Sequence, residues 1–245
     1  MFILGGMYLQ TVAAAAMFRG IPRAAKEELK KRRRDTRLGM AIADMIKFGA
    51  YCLSNLAYTI GGFTLTTYCV LLGIRRGMSL TRAAQMLTML QISNAISRFL
   101  VAAVGDRRWF PRHLVLGFTP FVGGIISLML LRAETVWAFA LCCVLYGTSF
   151  GVRASVQTPT LVDLFGIQNL PMVQSIYILF GGIGILTGPV AAGFLMDRYT
   201  SDLRPVFILS GISCIVSGVL QGGALCINYR QKRASEEPPK LGRSD

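Results

Sequence analysis

Residues 48–74 read FGAYCLSNLAYTIGGFTLTTYCVLLGI, 27 residues without a charge, lying between Lys47 and the pair Arg75 and Arg76. A helix of that length rises about 40 Å, more than the roughly 30 Å of hydrocarbon in a bilayer. Hydrocarbon offers backbone polar groups no partner, so such a run crosses only as a helix that satisfies its own N–H and C=O groups. Working outward, comparable uncharged runs are Met1–Phe18, Leu114–Leu131, Val136–Val152 and Pro205–Tyr229, while Ala83–Gly105 is interrupted only by Arg98. Leu164–Met196 is too long for one helix, and Gly166, Asn169 and Pro171 mark its first part as a loop. The sequence therefore predicts an all-α membrane protein with about seven transmembrane helices. Composition agrees: 53% of the 245 residues are hydrophobic and 16% charged, against about a quarter charged in a soluble domain. Mean hydropathy is +0.52.

A net charge of +14 would, taken alone, suggest a nucleic-acid partner. The positions of the charges argue otherwise. With the amino terminus outside, the segments Arg19–Lys47, Gly105–His113, Arg153–Pro171 and the tail after Asn228 face inward and carry 19 Lys and Arg, against six in the opposite loops. Basic residues near span ends accumulate on the cytoplasmic side. The expected organisation is a first span at 1–18, a basic cytoplasmic loop at 19–47, a six-helix bundle at 48–229 and a polar, disordered cytoplasmic tail at 230–245. The flanking charges favour a span or signal anchor at 1–18 over a cleaved signal peptide. The run Lys30–Arg34 resembles a nucleic-acid patch, but between spans it is expected to contact anionic lipid or fix topology.

All six cysteines lie within spans and have no metal-ligand spacing, so they are expected to be reduced packing residues. One histidine, His113, leaves neither a catalytic triad nor a histidine metal site to assemble. No enzyme, cofactor or metal is expected.

Arg98 is the most informative residue. An arginine inside a span is unfavourable by a few kcal/mol, about 3 on insertion scales, so it faces a cavity, a partner or a substrate unless it snorkels to the surface. Its planar fork matches a carboxylate. Asn94, one turn earlier, faces the same way. Tyr51, Asn55 and Tyr58 form a polar stripe, followed by Gly62, that suits either an aqueous path or interhelical hydrogen bonding. Gly181, Gly182, Gly184, Gly188, Pro189, Ala191, Ala192 and Gly193 suit tight helix packing, or a helix that pivots.

Several blocks carry a family resemblance. RFLVAAVGDRRW at 98–109 resembles the helix-eight exit and following loop of the monocarboxylate transporter family, a branch of the major facilitator superfamily. TLVDLFG at 160–166 resembles its loop between helices ten and eleven, and GGIGILTGPVAAGFLMD at 181–197 its helix eleven. With Ser54–Tyr58, these blocks are collinear with the last helix of the first half and all six helices of the second. The resemblance implies alternating-access transport of small organic anions, often as symport with a proton, at the plasma membrane. It implies substrate contacts at Arg98, Asn94, Tyr58 and Phe150, gating contacts at Asp106 and Arg107, and a moving helix bearing Gly184, Gly188, Pro189 and Gly193.

Two departures qualify what is carried over. Proton-coupled members have an acid where this chain has Asn94, and asparagine does not titrate. The chain also matches no more than the later part of the family's fold, which predicts a truncated transporter. The alternative is a non-transporting membrane partner that assembles with a full-length transporter and modulates it. Expected partners are a small monocarboxylate or related organic anion, protons, the lipid bilayer and a full-length transporter or accessory membrane protein, with no nucleic acid.

Overall fold

The computed structural model describes residues 42–236, apart from 106, 108–109, 168 and 200–201. It contains six helices: α1 (Ile42–Arg75), α2 (Leu80–Val104), α3 (Arg112–Leu130), α4 (Val136–Phe165), α5 (Leu170–Arg198) and α6 (Arg204–Glu236). Each contains a segment long and apolar enough to cross a membrane. The chain is a multi-pass membrane protein. The first expected span, at 1–18, and most of the basic loop lie outside the described residues.

Three boundaries differ from the sequence reading. α1 starts at Ile42, so the last residues of the expected loop are already helical. α6 continues to Glu236, and the beginning of the expected tail is helix. The largest correction concerns Arg153–Pro171, expected to be a cytoplasmic segment. α4 runs through it to Phe165, continuing past Pro159 inside the helix, and the next glycine after Gly151 is Gly166. Gly166, with φ of 75°, then ends the helix in a conformation that side chains with a Cβ disfavour.

The connections are short, so sequential helices alternate in direction. Small residues let them meet closely. A Cβ on Gly61 would lie 2.5 Å from the Ser210 carbonyl, and one on Gly188 would lie 2.6 Å from that of Ile60. Gly147 and Gly151 bring α4 against the α2 backbone at Leu90 and Asn94. Between these contacts run hydrogen bonds such as Ser210 Oγ to Gly61 O at 2.8 Å and Ser127 Oγ to Ser210 Oγ at 3.1 Å. Lipid tails are as apolar as the side chains they touch, so packing and hydrogen bonds hold the helices together, each bond contributing about 0.6 kcal/mol on average.

Five described cysteines are free and buried. Cys142 and Cys143 are both in the core, with Cys143 3.8 Å from Cys69 between sulfurs. At the α1–α2 turn, Arg76 Nη2 donates to Leu131 O at 2.6 Å, tying that turn to the end of α3.

Candidate functional site

α2 has three faces. Ala83, Met86, Leu90 and Ser97 are buried against the bundle. Met89, Ile92, Ile96, Phe99 and Leu100 form an exposed apolar face suited to lipid. Between them lies a file of polar and small residues, Thr88, Gln91, Asn94, Ala95, Arg98 and Ala102, all exposed except the half-buried Asn94. The polar members are linked: Asn94 Nδ2 donates to Gln91 Oε1 at 3.2 Å, and Arg98 Nε donates to Asn94 Oδ1 at 3.0 Å. Asn94 thus holds the guanidinium by one edge and leaves its terminal nitrogens directed elsewhere. Among the described residues, no acid stands in this file.

The other sequence-predicted contacts lie close by. A Cβ on Gly151 of α4 would meet Asn94 Oδ1 at 3.0 Å, which brings the α2 file against the segment of α4 holding Phe150. Phe150 stacks on Tyr58 of α1, with ring centroids 5.8 Å apart. Tyr58 is buried rather than pore-exposed, as are Tyr51 and Asn55. Asn55 Nδ2 donates to Tyr177 O at 2.9 Å, so at this position the α1 stripe serves interhelical bonding.

Arg153 stands near the middle of α4, about 18 Å of helix from Phe165. It is only 1% exposed. Its guanidinium carbon lies over the Tyr58 ring, 4.0 Å from the centroid, and Nη1 donates to Gln221 Oε1 at 2.8 Å. Gln221 Oε1 also accepts from Ser54 Oγ at 3.1 Å. Sequence reasoning missed Arg153, Gln221 and Tyr177; the glycine-free stretch before Gly166 was the signal for the first.

At the end of the bundle near Gly105, a cavity of about 350 Å³ is lined by Val101, Ala102, Phe110, Arg112, Val156 and Pro159, among others. Arg112 donates from Nε to Gly105 O at 2.8 Å and pairs through Nη1 with Asp163 at 3.4 Å. This pair, from α3 and α4, is the charged contact here. Arg107 is exposed on the connecting loop, and Asp106 lies outside the described residues.

The glycines assigned to a moving helix divide into two groups. Gly184 and Gly188 press on α1 at Leu56, Thr59, Ile60 and Thr64. Gly193 has ordinary contact with Tyr68, whose hydroxyl donates to Pro189 O at 3.2 Å.

Comparison with known proteins agrees with a bundle of this kind. Monocarboxylate transporter 4 of Gallus gallus is 26% identical to this chain, covering 99% of it and 54% of that protein. Monocarboxylate transporter 4 of Rattus norvegicus is 25% identical, covering 98% and 52%. Monocarboxylate transporter 2 of Mesocricetus auratus is 25% identical, covering 93% and 51%. The chain therefore spans about half the length of these curated relatives. The model of the Major Facilitator Superfamily matches residues 51–243, which include all but the beginning of the six-helix bundle. By that match, together with its helices and its glycine-packed seams, the chain belongs to the Major Facilitator Superfamily.

Proposed function

We propose that this chain is the carboxyl-terminal half of a transporter that moves small organic anions of the monocarboxylate class by alternating access, with Arg98 as the anion contact. The observation that carries this reading is the hydrogen-bonded file Gln91, Asn94 and Arg98 on an otherwise lipid-suited helix. Polar groups at that depth require water or protein beside them. Superfamily members hold substrate between two related halves, where such a file would line the path.

Each part then has a task. The terminal nitrogens of Arg98 receive the carboxylate, while Asn94 fixes the guanidinium edge. Tyr58 and Phe150 form the aromatic floor behind it. Gly184 and Gly188, with Pro189 and Gly193, let α5 shift along α1. Arg112 and Asp163 fasten one end of the bundle, beside the loop that carries Asp106 and Arg107. Proton symport through residue 94 is unavailable to asparagine, so this half supports facilitated movement of the anion, or coupling through a group elsewhere. The plasma membrane is the proposed location.

Uptake of labelled lactate or pyruvate by cells expressing the chain tests the reading, alone and with a complementary amino-terminal half. Arg98→Ala should reduce uptake roughly 10- to 100-fold, as expected from losing hydrogen bonds to a charged group. Equal uptake by both proteins, above background, would remove Arg98 from the mechanism.

The same uncovered polar file favours a second reading, in which the chain seats against a full-length transporter and modulates it. Copurification with such a relative, together with changed uptake by that relative and none by this chain alone, would support it.

A further inference from the structure

We propose that Arg153 is the centre of a second anion site, built inside the six-helix bundle, that takes a single carboxylate group. The site differs from Arg98 in position and enclosure. Arg98 is exposed on one face of α2, whereas Arg153 is surrounded by Tyr51 and Tyr58 of α1, Leu116 of α3, Tyr177 of α5 and Gln221 of α6.

Nη1 is used by Gln221 Oε1 at 2.8 Å, with Leu116 O more distant at 3.5 Å. Nε and Nη2 are buried, and neither makes a well-formed hydrogen bond. These two nitrogens are on the same edge of the guanidinium, so their N–H bonds run parallel, the arrangement that receives both oxygens of a carboxylate. The hydroxyl of Tyr51 is also buried and unpartnered, and the buried hydroxyl of Tyr177 lies beside the guanidinium. A carboxylate seated on the free edge has lone pairs to accept those O–H groups as well.

Charge points the same way. Among the described residues Arg153 makes no ion pair, and Asp163 on the same helix pairs with Arg112. Tyr58 and Gln221 stabilise the cation, but both are neutral. A buried unpaired charge is unfavourable by several kcal/mol, about 3 or more at mid-membrane. A water molecule would occupy donors and leave the charge uncompensated. A dianion would leave a buried negative charge in its place. One monovalent carboxylate satisfies both requirements.

The site does not depend on the transport reading, because binding can be measured without uptake. Purify the full chain in mild detergent with a bulky sulfonate as the only buffer anion, and follow thermal unfolding against acetate, lactate and chloride. A ligand that binds only the folded state raises the midpoint. Every protein in the test carries Arg98→Ala, which removes the anion contact proposed above, and in that background acetate should raise the midpoint saturably. Arg153→Met, which removes the charge while keeping a similar stem, should abolish the shift. Arg153→Lys, which loses the fork, should weaken half-saturation roughly tenfold. Tyr177→Phe should weaken it several-fold, and this variant, combined with Tyr51→Phe, carries the test should Arg153→Met fail to fold. Absence of any shift in the Arg98→Ala protein up to about 50 mM acetate, or a shift there that survives Arg153→Met, would overturn the proposal. So would an unchanged shift in the double tyrosine variant, or a response to chloride with none to acetate.

Discussion

Gly151→Ala is the sharpest structural test of how the site is assembled. The added Cβ would fall on the Asn94 carbonyl and lie 2.6 Å from Ser97 Oγ and 3.0 Å from Asn94 Oδ1. Ordinary contact between such heavy atoms is at about 3.5 Å. α2 must therefore retreat by close to 1 Å, since the obstacle is backbone rather than the end of a flexible side chain. Overpacking of that kind is unfavourable by roughly 1–3 kcal/mol, partly offset by up to about 1 kcal/mol from replacing glycine by alanine in a helix. Gly182→Ala is the control, because nothing lies within 4 Å of its Cβ. It receives the helix gain without the clash. Thermal unfolding in detergent should place Gly151→Ala below the wild type and Gly182→Ala at or above it. Since Asn94 also holds Arg98, Gly151→Ala should weaken anion uptake beyond its effect on the amount of folded protein. Equal midpoints for the two variants would refute the close α2–α4 contact, and unchanged uptake per folded molecule would refute the positioning of Arg98 by that contact.

Other outcomes follow from the same geometry. Asn94→Asp places a carboxylate against the Arg98 guanidinium, where it competes with the substrate carboxylate for the fork; uptake should fall roughly tenfold or more, and unchanged uptake would count against the contact. Gly188→Leu should reduce the yield of monodisperse protein severely, because even its Cβ would lie 2.6 Å from the Ile60 carbonyl; normal yield and stability would contradict the α1–α5 seam. Asp163→Asn should lower stability by less than about 1 kcal/mol, since the pair is partly exposed. Glycosylation mapping should find the tail beyond α6 cytosolic, and an extracellular tail would reverse the orientation.

Much of the fold is legible because membrane helices announce themselves through length and absence of charge. The α1 run decides the class by itself, and Gly166 correctly marks the break before α5. The errors have a common origin, in which charge is taken as a boundary. Arg153 ended a predicted span because an arginine in hydrocarbon is unfavourable, yet Tyr58, Gln221 and the surrounding helices enclose it. Those partners come from distant parts of the chain, and no local pattern pairs residue 153 with residues 58 and 221. The α1 stripe was ambiguous for the same reason: periodicity shows that Tyr51, Asn55 and Tyr58 share a face, while only the neighbouring helices determine whether that face meets water or protein. Removing Arg153 from the predicted cytoplasmic segments subtracts one of 19 basic residues and leaves the six opposite unchanged, so the orientation argument survives the correction.

The two intramembrane arginines are distinguished by what surrounds each helix face. On α2 successive residues turn by about 100°, so Arg98 and Phe99 cannot share an environment. Phe99, 78% exposed, belongs with Ile92 and Ile96 on the apolar face, and lipid suits it. Arg98, bonded through Asn94 to Gln91, belongs to the adjoining polar face. Lipid against both faces would leave an arginine, an asparagine and a glutamine in hydrocarbon, the arginine alone unfavourable by about 3 kcal/mol. The boundary between lipid and a wet or protein-covered surface must therefore run lengthwise along α2, between these two faces. Arg153 has no such boundary, because protein surrounds it on every side described. In the sites proposed for them, the occupant of Arg153 would enter the bundle, whereas that of Arg98 would pass alongside it.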